Sequence, residues 1–207
     1  MITNILITIV VLTGLEQLYE TAVLGQRKEK GILRGEKWTI WGMGIAHFLT
    51  FIFTLAEFFL VRRSLNLEIS MIGISMYALG VIGRYWTINT LGKYWSIFIE
   101  MRENQKLITD GPFNFMRHPS YFSLFFKVLS VPLILNSYFT FLFVLIFYCP
   151  LVFIRLYYEE IELFKKFKKT YASYRRGKWS LFPFNKGKTT KFLANKIKPL
   201  RKILNRW

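Results

Sequence analysis

Cysteine, histidine and acidic side chains are scarce in this chain of 207 residues. Cys149 is the only cysteine, which excludes a disulfide framework, and with two histidines the chain offers no Cys/His spacing for a metal ion. We therefore predict no metal site. Only 12 Asp and Glu oppose 29 Lys and Arg, which leaves a net charge of +17. A charge of this size predicts a preference for anionic surfaces.

Hydrophobic residues, in contrast, are abundant. They make up 53% of the chain, and 18% of all residues are aromatic. A basic chain could bind nucleic acid, but these long apolar runs would have no soluble core large enough to receive them. Apolar runs joined by basic connections are typical of helical membrane proteins, so we expect a membrane protein with no nucleic-acid partner.

Five apolar segments predict an all-α, polytopic membrane fold of about five helices. Each approaches the roughly 20 helical residues that cross about 30 Å of hydrocarbon. Asn136 and Ser137 separate the short fourth segment from the fifth and predict a tight antiparallel hairpin. The segments cover residues 2–24, 38–61, 69–91, 120–135 and 137–158.

Basic residues are distributed unevenly among the connections. The first and third connections and the tail carry most of them, the second carries only Arg62 and Arg63, and the hairpin tip carries none. By the positive-inside rule we expect the N-terminus outside and the C-terminus in the cytoplasm. We expect residues 1–184 to form one membrane domain, with its catalytic half at about 80–184. Residues 185–207 should form a basic amphipathic tail on anionic lipid.

Two polar motifs lie at the same-side ends of the predicted hairpin. An Arg-His-Pro-Ser-Tyr run at 117–121 precedes its first arm, and Arg155 with Glu159 and Glu160 ends its second. Proline favours the first helical position, and a helix N-terminus offers free N–H groups to an anion. Arg155 and Glu159 are four residues apart and can pair, whereas Glu160 points about 100° away. Because charges are costly at a membrane boundary, this convergence predicts an active site.

In this order the motifs resemble the isoprenylcysteine carboxyl methyltransferase and phospholipid methyltransferase superfamily. The family signature is Arg-His-Pro-x-Tyr, then an apolar stretch, then Glu-Glu. The Leu-Gly-Lys-Tyr-Trp run at 91–95 and residues 105–113 also resemble family motifs, so that the resemblance covers about residues 80–184. Two positions depart from the pattern: Phe113 replaces a usual tyrosine, and Ser123 replaces a common glycine. The number of segments resembles that of short microbial members.

The resemblance implies a site for S-adenosylmethionine that faces the cytoplasm and a lipid-facing tunnel for a lipophilic methyl acceptor. It implies that Arg155 and Glu159 are catalytic, with Arg155 binding the acceptor, which would be isoprenylcysteine-like or another lipid or polyketide-like molecule. It also implies the cofactor-binding residues, which are Gln105, Lys106, Leu107, Ile108, Phe113, His118, Pro119, Ser120, Tyr121 and Glu159.

Three other functions stay open. A membrane reductase of the sterol-reductase type would use NADPH, but those enzymes usually carry Arg-Asp-Glu where this chain has Glu159 and Glu160. A phospholipid N-methyltransferase must remove a proton from its amine, and beyond Glu159 and His118 no clear base is visible, which favours an oxygen acceptor. A non-catalytic anchor would explain the basic tail but not the paired motifs.

Four further polar residues lie in or near the apolar segments. We expect Lys127 to extend its ammonium group toward the membrane surface. Arg84 is expected to pair with Glu57 across helices or with a cofactor group. His47 is expected to make an interhelical hydrogen bond and not to act as a base.

Overall fold

The computed structural model describes residues 1–24, 32–33 and 37–181. Within these residues the chain forms six α-helices and one pair of two-residue strands. The predicted tail at 185–207 and most of the first basic connection lie outside the described residues. The elements are α1 (Ile2–Tyr19), β1 (Ile32–Leu33), α2 (Lys37–Val61), α3 (Leu67–Leu91), β2 (Glu100–Met101), α4 (Pro119–Ile134), α5 (Tyr138–Phe143) and α6 (Cys149–Gly177).

Four described segments are long and apolar enough to cross a membrane: Ile2–Ala22, Lys37–Val61, Leu67–Tyr94 and Tyr138–Gly177. The remaining apolar helix, α4, has 16 residues. At a rise of 1.5 Å per residue it is about 24 Å long, less than the thickness of the hydrocarbon core. The predicted all-α polytopic membrane fold is confirmed, with four full-length segments and one shorter helix.

Helices α3 and α4 form the most extensive helix pair of the described chain. Glycines on α3 let the two backbones approach closely, as is common between membrane helices. A Cβ atom at Gly73 would lie 2.8 Å from the backbone nitrogen of Ile134, and one at Gly80 would lie 2.8 Å from Lys127 Cγ. This packing fixes the N-terminus of α4 against the C-terminal half of α3.

The predicted hairpin between the fourth and fifth segments is present. Asn136 adopts a positive φ of 56°, which asparagine tolerates better than most residues. Its side-chain oxygen accepts a hydrogen bond from the backbone N–H of Asn66 at 2.6 Å, and its amide donates to Ser70 Oγ at 3.0 Å. The hairpin tip is therefore tied to the start of α3.

Glu57 binds the same hairpin from α2. Its carboxylate accepts hydrogen bonds from the backbone N–H groups of Phe139 and Thr140 at 3.1 and 2.8 Å, in the first turn of α5. Arg63 lies 3.3 Å from the same carboxylate. Glu57 thus caps a helix N-terminus, and the predicted Arg84–Glu57 pair is wrong.

The last span is longer than the sequence pattern predicts. A π-helical turn, Val144–Tyr148, joins α5 to α6, so that helix continues from 138 to 177 and includes the charged stretch at 161–174. Lys168, with a φ of 43°, breaks the helix locally. Beyond α6 the chain returns to the start of α4, where the backbone N–H groups of Arg117 and His118 donate to Trp179 and Ser180 carbonyls at 2.8 and 3.2 Å.

Candidate active site

A cavity of about 740 Å³ lies between α1, α2, the 94–113 connection, the start of α4 and α6. Its volume is within the range of ligand-binding cavities in proteins. Of the site residues predicted from the sequence, all except Pro119 line it. They are Gln105, Lys106, Leu107, Ile108, Phe113, His118, Ser120, Tyr121, Arg155 and Glu159.

The Arg-His-Pro run places a helix N-terminus at the cavity. Pro119 is the first residue of α4 and His118 is its N-cap residue, as the sequence predicts. The N–H groups of Ser120 and Tyr121 belong to the first turn, where no intrahelical carbonyl is available to them. Pro119 is buried and contributes the helix start, not a cavity wall.

Glu159 is the glutamate that faces the cavity. Its side chain is 28% exposed. The Tyr121 hydroxyl donates to Glu159 Oε2 at 2.5 Å, and His118 Nδ1 lies 3.8 Å from Oε1. One of its oxygens is therefore bound by the protein, while the side chain as a whole stays accessible from the cavity.

Glu160 is directed into the protein, where it joins the segment before α4 to the C-terminal part of α6. Arg117 Nη1 lies 2.8 Å from Oε1 and 2.9 Å from Oε2. His118 Nε2 lies 2.6 Å from Oε1, to which the Tyr171 hydroxyl also donates at 2.8 Å. Arg175 Nε lies 3.5 Å from Oε2. Because all these groups are largely buried, Glu160 fixes the geometry around His118.

The surroundings of His118 favour its protonated form. Burial by itself lowers its pKa, but the carboxylates of Glu159 and Glu160 outweigh burial and raise the pKa to about 9. Its Nδ1 atom is buried and has no hydrogen-bond partner. A charged N–H donor is thus available beside Glu159 at the cavity wall.

Arg155 is held by elements other than its own helix. Its Nη1 donates to Thr39 Oγ1 on α2 at 3.0 Å, and Nη2 donates to the carbonyl oxygen of Ile97. The predicted side-chain pair with Glu159 is replaced by these contacts, although both residues line the same cavity. Arg155 therefore connects α2, the 94–113 connection and α6.

A buried cluster of charges on α1, α3 and α4 was not predicted from the sequence. Arg84 Nη2 and Nε lie 2.6 and 2.8 Å from Glu20 Oε1. Lys127 Nζ lies 2.8 Å from Glu20 Oε2 and 2.7 Å from Glu16, which also accepts from the Tyr77 hydroxyl. The Lys127 side chain is 1% exposed, so its predicted extension to the surface is wrong. The sequence feature that could have revealed this cluster is the pair Glu16 and Glu20, one helical turn apart in an apolar segment.

Arg84 joins this cluster to the site. Its Nη1 donates to the Ser120 carbonyl oxygen at 3.2 Å and to Ser120 Oγ, in the first turn of α4. Its guanidinium carbon lies 4.6 Å from the centre of the Trp95 ring, which lines the cavity. The ion pair with Glu20 compensates its charge, while these contacts hold two cavity residues in place.

The part of α6 that follows Glu159 contributes four more residues to the cavity wall. The sequence pattern groups five apolar or aromatic residues of 161–174 on one helix face. Phe164 is 41% exposed and does not line the cavity. The other four, which line it, are Leu163, Phe167, Tyr171 and Tyr174.

The residues present fit S-adenosylmethionine, the cofactor that the resemblance implies. That molecule carries a sulfonium, an ammonium and a carboxylate. The Glu159 carboxylate suits its cationic groups, while the His118 Nδ1–H and the first-turn amides of α4 suit its carboxylate. The orphaned Nδ1 atom of His118 is the observation that points to a ligand.

Comparisons with known proteins point to the same family as the sequence motifs. The model of the isoprenylcysteine carboxyl methyltransferase family matches residues 71–165. The uncharacterized protein YpbQ of Bacillus subtilis strain 168 is 31% identical over 95 residues, which are 45% of this chain and 55% of that protein.

A solved structure is also similar. The eukaryotic intramembrane Ras methyltransferase, an isoprenylcysteine carboxyl methyltransferase, superposes with a TM-score of 0.59 at 25% identity and covers 70% of this chain and 53% of its own. The chain spans about half the length of each of these two proteins. These matches confirm the resemblance: residues 71–165 are similar to the isoprenylcysteine carboxyl methyltransferase family, and the polytopic membrane fold is similar to that of the Ras methyltransferase.

Proposed function

We propose that this chain is a methyltransferase that uses S-adenosylmethionine to methylate a carboxylate or hydroxyl of a lipophilic acceptor at the cytoplasmic membrane face. The observation that carries the proposal is the shared cavity. His118, Glu159 and the start of α4 lie on it together with Arg155, and it continues between the apolar walls of α1 and α2. One cavity thus offers polar groups for a charged cofactor and apolar surface for a lipid.

In this proposal the cofactor is held by groups that the fold has already positioned. Glu159 binds its cationic groups, and the charged His118 with the α4 amides binds its carboxylate. Gln105 to Ile108 and Phe113 cover it from the 94–113 connection, where they line the cavity. When bound, S-adenosylmethionine supplies the methyl group: an acceptor oxygen forms the new C–O bond, the C–S bond breaks, and its electron pair stays on sulfur.

Arg155 is the group proposed to hold the acceptor. It is buried, and Thr39 and Ile97 fix its guanidinium from two other elements. A fixed arginine suits an acceptor carboxylate and aligns its oxygen for in-line displacement, in which positioning is the main contribution. A carboxylate also needs no base. Because His118 is already protonated at neutral pH, Glu159 is the remaining group that could take a proton from a hydroxyl.

The cofactor assignment can be tested by calorimetry on detergent-purified protein. We expect S-adenosylmethionine to bind and NADPH not to bind. Glu159→Gln should weaken binding by about tenfold or more, since it removes the charge from a charge-assisted contact. Glu68→Gln is the matched control, because Glu68 is exposed in the first turn of α3 and does not line the cavity.

The alternatives predict other outcomes. Binding of NADPH alone would favour a membrane reductase of the sterol-reductase type. Binding of neither molecule would favour a non-catalytic anchor. Equal affinity of the wild-type protein and Glu159→Gln for S-adenosylmethionine would contradict the role of Glu159.

The acceptor role of Arg155 predicts a separation of binding from turnover. Arg155→Ala should abolish methyl transfer while S-adenosylmethionine binding is largely retained, because the acceptor loses its positioning group. Transfer of labelled methyl groups to N-acetyl-S-farnesylcysteine and to fatty acids would measure turnover. Normal turnover by Arg155→Ala would show that the assignment is wrong.

A further inference from the structure

The cavity has a second polar region, deeper between α1 and α2 than Arg155. Glu20, directly after the C-terminal end of α1, and Thr39, near the N-terminal end of α2, both lie near the site, so these helices run antiparallel. They touch where a Cβ atom at Gly14 would lie 3.0 Å from the Phe51 ring.

Two residues with hydrogen-bonding side chains lie about one helical turn from this contact. Gln17 lies three residues after Gly14 on α1, and His47 lies four residues before Phe51 on α2. Because the two helices are antiparallel, a step of three residues forward on α1 and a step of four residues back on α2 both lead toward the site. Each step is close to one helical turn, so Gln17 stays near the face of Gly14 and His47 near the face of Phe51, at a similar height. Both residues line the cavity.

Gln17 presents an unpaired acceptor. The Thr21 hydroxyl donates to the Gln17 backbone carbonyl at 2.9 Å, so Thr21 Oγ1 can only accept from the Gln17 amide, whose Nε2 lies 3.5 Å away. This fixes the orientation of the amide group. The remaining oxygen, Gln17 Oε1, is buried and has no hydrogen-bond partner.

His47 supplies the complementary group. Its ring packs edge-on against Tyr148, with the ring centres 6.0 Å apart. Within the described part of the chain its ring nitrogens make no hydrogen bond, so the interhelical bond predicted for this residue is not formed. An imidazole offers one donor and one acceptor nitrogen when neutral.

We propose that Gln17 and His47 form a subsite for a hydroxyl group carried along the chain of the lipophilic acceptor. The hydroxyl donates to Gln17 Oε1 and accepts from a His47 N–H, so one group satisfies both side chains. A hydrocarbon at this level would leave both side chains without a hydrogen-bond partner, which is costly. This inference rests on the proposed function, because it specifies the class of acceptor.

The depth of the subsite specifies where the hydroxyl lies. Arg155 is bound to Thr39, and His47 follows Thr39 by eight residues on α2. A helix rises 1.5 Å per residue, so the subsite lies about 12 Å from the position of the reacting carboxylate. This distance corresponds to the middle of a long-chain acid.

Ricinoleic and oleic acids, which differ only by a mid-chain hydroxyl, provide the probes. Their affinities for the purified full chain can be measured by displacement of a fluorescent fatty acid. We expect ricinoleic acid to bind about tenfold more tightly, the effect of one well-placed hydrogen-bonding group. His47→Phe and Gln17→Leu should lose this preference without losing affinity for oleic acid, which should stay equal or rise because no polar group is then left unpaired beside its chain.

Thr50→Val is the matched control on the same cavity wall. Its hydroxyl already donates to the Ala46 carbonyl at 2.8 Å, so its loss should leave the preference intact. Equal affinity of the wild-type protein for the two acids, binding of neither, or a preference that survives in both variants overturns the subsite. The wild-type comparison needs no variant, so a variant that fails to fold does not weaken the test.

Calorimetry with S-adenosylmethionine on the same preparations separates the two proposals. A chain that prefers ricinoleic acid but does not bind S-adenosylmethionine retains the subsite and refutes the methyltransferase. A chain that binds S-adenosylmethionine without any preference between the acids refutes the subsite alone.

Discussion

Glu159 and Glu160 are adjacent in sequence and occupy opposite environments. Successive helical residues point about 100° apart, so one glutamate lines the cavity while the other is enclosed by Arg117, His118 and Tyr171. The helix period makes this divergence predictable from the sequence. The partners of Glu160 were not predictable, because Arg117 lies 43 residues away and only folding brings it near.

The charge of His118 predicts a pH dependence of stability. Its folded-state pKa of about 9 is above the ordinary value of 6.5. The stabilisation that the charged His118 gives the folded state is therefore complete below about pH 6.5, and it is lost as the pH rises through about 9. From this shift of the His118 pKa we expect the free energy of unfolding to fall by an amount on the order of 3 kcal/mol across this pH range.

Thermal unfolding of the detergent-solubilised protein between pH 6 and 10 would measure this effect. The melting temperature of the wild-type protein should fall more steeply over this range than that of His118→Asn, which lacks the titrating group. Parallel profiles for the two proteins would contradict a charged His118.

Helix α4 is positioned by two kinds of contact. Glycines on α3 allow close backbone packing, and Lys127 binds Glu16 on α1 and Glu20 directly after it. The start of α4 and the hairpin that follows it were predicted from Pro119 and Asn136, since both residues have strong local preferences. The break at Lys168 was not predicted, because no glycine or proline marks it.

The glycine contacts predict a contrast between two substitutions in helix interiors. Gly73→Ala should destabilise the protein by about 1–3 kcal/mol, because its Cβ would meet the Ile134 backbone at 2.8 Å. Gly44→Ala should be neutral or stabilising by up to about 1 kcal/mol, because nothing lies within 4 Å of its Cβ and alanine favours helix. Thermal unfolding of both variants in one detergent measures the difference; equal effects would contradict the close α3–α4 packing.

The whole molecule has two distinct ends, one with the cavity motifs and one with the hairpin tip. The basic connections predict that the cavity end faces the cytoplasm. Cys149 is the only cysteine and is buried, so Cys149→Ala provides a background for labelling. Lys106 is exposed beside the cavity, and Glu68 is exposed at the hairpin end.

Labelling of intact cells with an impermeant maleimide tests this orientation. In that background Glu68→Cys should react, while Lys106→Cys should react only after the membrane is permeabilised. The reverse pattern would place the site outside the cell.

The sequence by itself determined the membrane class, the helical segments, the start of α4 and the pair of motifs that line the cavity. These features depend on local composition and helix period, which short stretches of chain already contain. Only the tertiary structure decided which buried charges pair. Glu20 binds Arg84 and Lys127, 64 and 107 residues away, and Arg155 binds Thr39 instead of its helical neighbour. Such partners are selected by helix packing, since a buried charge must bind whichever opposite group the fold brings within reach.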